Sequence, residues 1–568
     1  MSENSVVRSF LLLMCSLVIC GGLAAGEFEV DDVIHPVVAK LGKPKVIEAL
    51  GEGHMAVSSS SEVAAKHVTQ GLGRMNASWD FEAYRHFCEA ARLDPDCLMA
   101  YWGIAMSLAG SQHEFFDERK AAVERMLDLL ESEAAAKETR WSDLEKRYAQ
   151  AAGYLLTSGV RAAGLAFNAL AEKYPADIQG RLFSLFLQRD GFDSGGKPLV
   201  GQQRANAGIK KMLEEHPDHY SVMAFWVSSQ AEAPLNVSNL RDEVLPVARK
   251  LVGLLPEYPP YRLMLAHVEA RCGNAALAIQ AASDAAKLYQ SYMDEEKVSL
   301  YDCDGWIRAK VYLAVLHEMK GEQAKAEVVA NELAGIKVDE ERLFSRGAGL
   351  LLWEGRTVGA RLMMGRSDIV SFEKGQKILK ALPEEQWFKE KSFALSYRNC
   401  VAVYLAVRMA ITDKDMKSSK ALFDQFLVRV DALGKTQQLA SKTSSYSSWA
   451  RAVNTLMIMV SELRGLIAKN EEGATRLSAS TWFRSAADRQ GSPANLLPPT
   501  VNYPMKWRLG LFYLEEGKLE KAEEAFREGL ALRPNHLATL QGFYEVLKRM
   551  GKTESAKLLE DRIEAVKE

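Results

Sequence analysis

The chain has 568 residues, 48% of them hydrophobic and 26% charged, with a formal net charge of −3. That length exceeds one ordinary core but suits several subdomains or a solenoid, in which each unit touches only its neighbours. A near-neutral balance without a basic stretch argues against nucleic acid or an anionic membrane as the principal partner.

Residues 1–25 read as a signal peptide. After Arg8, an apolar run from Ser9 to Gly26 ends in small residues, and Glu27, Glu29, Asp31 and Asp32 follow. Cleavage is expected near Ala25, which places the protein outside the cytoplasm, periplasmic or secreted. The alternatives are a lipoprotein signal using Cys20, which the bulky Ile19 fits badly, and a retained anchor through this segment. Nothing later is apolar for long enough to span a bilayer. Beyond this region lie Cys88, Cys97, Cys272, Cys303 and Cys400, an odd number without a CxxC pair. A Cys88–Cys97 bridge is conceivable; buried thiols are the expected state.

Residues 26–61 form a lead-in, Ser-rich at its end (Ser58 to Ser61), with little periodicity. Helical signals begin at Glu62. Within 62–190, helix pairs are predicted over Gln70–Pro95, from Cys97 onward, and over Leu144–Pro175. A loop from Gly191 to Pro198 marks an internal boundary. Residues 200–340 carry degenerate pairs, with turns at Gly273 and Gly321. From 341 to 500 helices are expected at Ser396–Ile411, Ser418–Leu433 and Ser447–Lys469, but no repeat frame can be followed. The pattern is clear again over 501–568, where the last helix has the charged outer face of a terminal cap.

One spacing ties these segments together: Ala-x3-Phe-x7-Pro. It occurs at Ala83-Phe87-Pro95, Ala163-Phe167-Pro175 and Ala522-Phe526-Pro534, and with Ile at Ala205-Ile209-Pro217. A small residue lets two helices cross closely, and the aromatic four residues on lies on the same face. Proline then stops the helix. Leu509-Gly510-x2-Tyr513 precedes the last copy and completes most of the 34-residue tetratricopeptide pattern. The predicted fold is all-α, a tetratricopeptide-repeat (TPR) solenoid of helix-turn-helix units in a right-handed superhelix, degenerate in the middle.

The stretch Asp94 to Ser107, with Gln70-Gly71-Leu72 upstream, resembles the opening repeats of large bacterial TPR proteins, often exported and mostly of unassigned function. Glu215-His216-Pro217-Asp218-His219, Leu496-Leu497-Pro498-Pro499 and Arg533-Pro534-Asn535 are similar to later landmarks of that group. The resemblance implies a repeat scaffold. This chain departs from the group where His-rich segments are common: Tyr220 to Trp226 and Tyr261 to His267 retain only His219 and His267.

No HExxH, GxGxxG, GxxxxGK[ST] or GxSxG motif is present. The nearest metal-like cluster, His216-x2-His219 with Glu214 and Glu215, flanks a proline in a turn and reads as solvated. No catalytic residue, metal site or cofactor is therefore assigned. Tyr101, Trp102, Met106, Trp507 and Leu511 are the candidate partner-binding residues, an apolar patch suited to a protein or peptide partner; the competing reading is packing between repeats. The expected function is an exported, non-enzymatic scaffold or adaptor. The alternative is an enzyme or metal-binding protein with a pocket in residues 200–340.

Overall fold

The computed structural model describes residues 28–47, 55, 57–109, 113–193, 197–231, 233, 239–343, 345–382, 393–439, 446–492 and 496–567. The segment 1–25 read from sequence as a signal peptide, with Cys15 and Cys20, lies outside the described residues. Among those described, every regular element is helical, apart from an isolated bridge between Phe192 and Pro198. The chain is an all-α succession of helix hairpins of the tetratricopeptide type, in two compact units. One comprises residues up to 191 with 199–229; the other comprises 192–198 with 230–568.

In the first unit, helices α1 (Glu62–Asn76), α2 (Asp80–Leu93) and α3 (Leu98–Ser107) each pack on the next, and the pattern continues through α4 (Phe116–Ala136), α5 (Asp143–Ser158), α6 (Val160–Lys173) and α7 (Ile178–Leu187). The caps are local. Ser61 accepts from the Ala64 amide at the start of α1, and Ser142 with Glu145 forms a capping box on α5. Phe87 shows why the repeat spacing works. A Cβ on Gly71 in α1 would stand 2.8 Å from its ring, and one on Gly103 in α3 2.1 Å. Glycine on both neighbours lets the ring lie against two backbones at once.

Phe526 repeats this arrangement in the second unit, between α8 (Met505–Glu515) and α10 (Leu537–Arg549), with its own helix α9 (Leu519–Leu532) between them. A Cβ on Gly510 or Gly542 would come within 2.6 Å of its ring. The stretch in which no frame could be followed contains a further copy. Ala479 and Phe483 are both buried on helix Gly473–Gln490, and a Cβ on Gly465 of the preceding helix, Tyr446–Lys469, would stand 2.6 Å from Phe483. The position that elsewhere holds proline is Gly491, whose φ of +56° ends the helix instead. The three helices expected in this stretch are present as Phe393–Thr412, Met416–Leu439 and Tyr446–Lys469.

One local expectation is corrected. His219 is buried rather than solvated, and its Nδ1 accepts from the Val222 amide at the start of the following helix. The Ser-rich end of the lead-in is ordered by carboxylates. Glu145 accepts from both the amide and the hydroxyl of Ser58, and Asp94 accepts from the Ser59 hydroxyl and the Ser60 amide. Cys88, Cys97, Cys272, Cys303 and Cys400 are all free and buried.

Candidate peptide-binding groove

In the first unit, α1 and α2 present a polar face in an otherwise apolar packing. Gln70 and Arg74 are one turn apart on α1; Glu82, Arg85, His86 and Glu89 follow the same periodicity on α2. All six are buried. Arg74 Nη1 donates to Gln70 Oε1 at 2.7 Å and fixes the orientation of that amide.

A piece of the lead-in without regular secondary structure lies on this face and is held through its main chain. Gln70 Oε1 accepts from the Ile47 amide at 3.1 Å, and Gln70 Nε2 donates to the Ile47 carbonyl at 3.0 Å. Arg74 Nη2 donates to the Lys45 carbonyl at 3.1 Å, and Arg85 Nη2 to the Gly42 carbonyl at 3.0 Å. Arg85 is itself held by Glu82 at 2.6 Å. Tyr84 continues the pattern upstream, donating to the Val33 carbonyl at 2.8 Å and accepting from the His35 amide at 2.9 Å. The clearest side-chain contact from this stretch is Lys43 with Glu89, at 2.9 Å. Guanidinium and amide groups spaced in this way satisfy an extended backbone, which otherwise loses its water hydrogen bonds on burial.

Beside this face, the Nδ1 atoms of His67 and His86 are 3.0 Å apart. One must donate and the other accept, so the pair cannot be doubly protonated without setting two N–H groups against each other. Burial, and then the nearby Arg74 and Arg85 charges, hold His86 well below the usual histidine range. Burial also lowers His67, against a partial upward pull from Glu89.

Tyr101 and Trp102 are fully buried, Trp507 is 6% exposed, and Met106 and Leu511 are half-buried. Trp102 stands within an aromatic cluster, its ring 5.4 Å from Tyr148, 6.4 Å from Phe87 and 6.4 Å from Phe183. Tyr101 reaches the lead-in: its ring centroid is 5.7 Å from that of Phe28, edge to face, and the Arg125 guanidinium lies 4.7 Å from the Phe28 ring. In the second unit Trp507 packs against Tyr503 and His536 with Arg508 over its face. Gln70, Arg74, Tyr84 and Arg85 were not singled out from sequence. Their signal was there, as a Gln/Arg pair at i,i+4 and an Arg beside an acid on small-residue helices, but it reads equally as a solvated face.

Among the described residues, no group of three or more His, Cys, Asp or Glu side chains is placed to hold a metal ion, and no helix is long and apolar enough to cross a membrane.

No family model matches the chain, and no curated protein does. Among solved structures it is similar to a human IFIT1 dimer with m7Gppp-AAAA, at 13% identity over 92% of this chain and 99% of that one, with a TM-score of 0.32. A human IFIT1 dimer with PPP-AAAA gives 13% identity, 82% and 90% coverage and a TM-score of 0.31. The P58(IPK) TPR domain gives 12% identity, 86% and 99% coverage and a TM-score of 0.19.

Proposed function

We propose that the protein is an exported, non-catalytic repeat scaffold that binds an extended polypeptide segment along its N-terminal repeats. The observation that carries this reading is the pairing of one side-chain amide, Gln70, with both the N–H and the C=O of Ile47, flanked by two arginines on neighbouring carbonyls. Recognition through the main chain suits a peptide in extended conformation, whatever its side chains. In this reading the lead-in occupies the groove as an internal ligand, and a partner segment takes its place. Tyr101, which packs on Phe28 of the lead-in, is proposed as an apolar contact for the partner, and Trp102 and Met106 as part of the repeat that supports it. Trp507 and Leu511 are proposed as a second apolar contact in the C-terminal repeats. Export rests on the character of residues 1–25 and is tested by N-terminal sequencing of the mature protein.

The binding test uses a fluorescein-labelled peptide with the sequence of residues 41–47 and the full chain. Ile47→Pro removes the amide that Gln70 accepts from and loosens the internal segment. This variant is expected to bind the peptide about tenfold more tightly than the unaltered chain, because more of the groove is free. Adding Gln70→Ala to it is expected to abolish that gain. A peptide that binds neither chain, or binds regardless of Gln70, overturns the reading.

A further inference from the structure

In the second unit a cavity of about 180 Å³ lies between helix Tyr446–Lys469, the end of helix Gly473–Gln490, the proline-rich stretch 497–501 and Arg533. Its polar lining includes Arg451, Asn454, Ser492 and Thr500. Arg451 is neutralised: its two Nη atoms sit on the two carboxylate oxygens of buried Glu354, at 2.5 and 2.9 Å. Arg533 is not. It is 6% exposed, its Nε has no hydrogen-bond partner, and its Nη1 reaches the Leu532 carbonyl at 3.3 Å. No carboxylate pairs with it among the described residues. Several other buried arginines of this unit are better satisfied: Arg408 and Arg508 have Glu462 as an acidic partner, and Arg361 donates to the carbonyls of Thr500 and Glu354.

A buried guanidinium without a counter-ion is costly, and its planar fork matches two oxygens of one oxyanion. Burial lowers the Arg533 pKa to about 10, which still leaves it charged at neutral pH. The cavity is roomier than one water needs. We infer that this cavity is an oxyanion-binding site in which Arg533 takes the carboxylate or phosphate group of a small ligand, with the Ser492 hydroxyl and the Asn454 amide beside it. The site is separate from the groove of the first unit, and its ligand is a small molecule or terminal group rather than an extended main chain.

The test is thermal unfolding of the full chain in sodium phosphate, sodium acetate or sodium chloride at matched ionic strength and pH. Binding to the folded state raises Tm by mass action. A shift of about 2–4 °C over chloride is expected in phosphate or in acetate. A response to phosphate assigns a phosphate ligand, and a response to acetate assigns a carboxylate. Arg533→Gln is expected to remove the shift, and Arg533→Lys, which keeps the charge but loses the fork, to retain a smaller one. Each variant is compared with its own chloride baseline, so a change in its intrinsic stability does not obscure the result. Equal melting in all three salts, or an undiminished shift in Arg533→Gln, overturns the inference.

Discussion

Gly103 lies so close beneath the ring of Phe87 that a Cβ on it would stand 2.1 Å from the ring's Cδ1. The contact joins helix α3 to the helix before it. Gly103→Ala is therefore expected to destabilise the first unit by about 1–3 kcal/mol, the range for overpacking a close-packed contact. Phe87→Leu in the same chain should recover part of that loss by clearing the space. Denaturant unfolding of the two variants checks both statements. Because the second unit has its own cores, the transition assigned to it should not move.

The Gln70 clamp predicts a local effect distinct from global stability. In the unaltered chain the Ile47 amide is bonded to Gln70, so its hydrogen exchange should be slow. Gln70→Ala removes both bonds to that residue, and exchange at Ile47 should quicken about fivefold for each net kcal/mol that they contribute. Exchange in the core of α2 should stay unchanged. If Ile47 exchanges equally fast in both chains, the clamp does not form.

Two histidines of the second unit set a pH dependence. Burial first, then Arg271 and Arg533, push His267 down to about 3; burial first, then Arg533 and Arg508, do the same to His536. His267 is satisfied as a neutral ring, with Nε2 donating to the Ala231 carbonyl at 3.0 Å and Nδ1 accepting from the Tyr312 hydroxyl at 2.8 Å. Below about pH 6.5 the unfolded chain protonates both residues while the folded chain does not, so stability falls as pH drops from there towards 3. Between pH 7.5 and 5.5 the second unit should lose about 2–3 kcal/mol from the pair. His267→Gln should remove about half of that slope. Urea unfolding across this range measures it, and a flat profile would contradict the neutral state assigned to these two histidines.

The thiols make a redox prediction. Burial raises Cys97 and Cys400 to about 12 and Cys272 to about 11, and it moves Cys88 upward as well. The thiolate is the reactive form, so these side chains should be inert in the folded protein at pH 8 even though export would expose them to oxidants. Alkylation followed by peptide mass spectrometry should find them unmodified before denaturation and fully modified after it.

Legibility followed chemistry. The Ala-x3-Phe-x7-Pro frame could be read at Phe87 and Phe526 because proline marks the stop and the aromatic marks the face. At Phe483 the same packing was hidden, since Gly491 ends the helix by a positive φ and a glycine alone signals many things. The groove was hidden for a different reason. Gln70, Arg74 and Arg85 bind carbonyls and an amide of residues 42–47, and main-chain atoms leave no mark in an amino-acid sequence. Tyr101 and Trp102 were chosen together as partner-binding candidates; within the chain Tyr101 packs on Phe28 of the lead-in, and Trp102 lies in the aromatic packing with Tyr148.

The hold on the lead-in also shapes how its sequence can evolve. Apart from Lys43 with Glu89, the bonds at Gly42, Lys45 and Ile47 ask only for an extended chain with a free amide at 47. Pro44 falls where no amide is required. Substitutions along this stretch should accordingly accumulate with little effect, while the residues that grip it, deep in the first repeats, should tolerate almost none. Relatives of this protein would then look unrelated across the segment and alike beneath it.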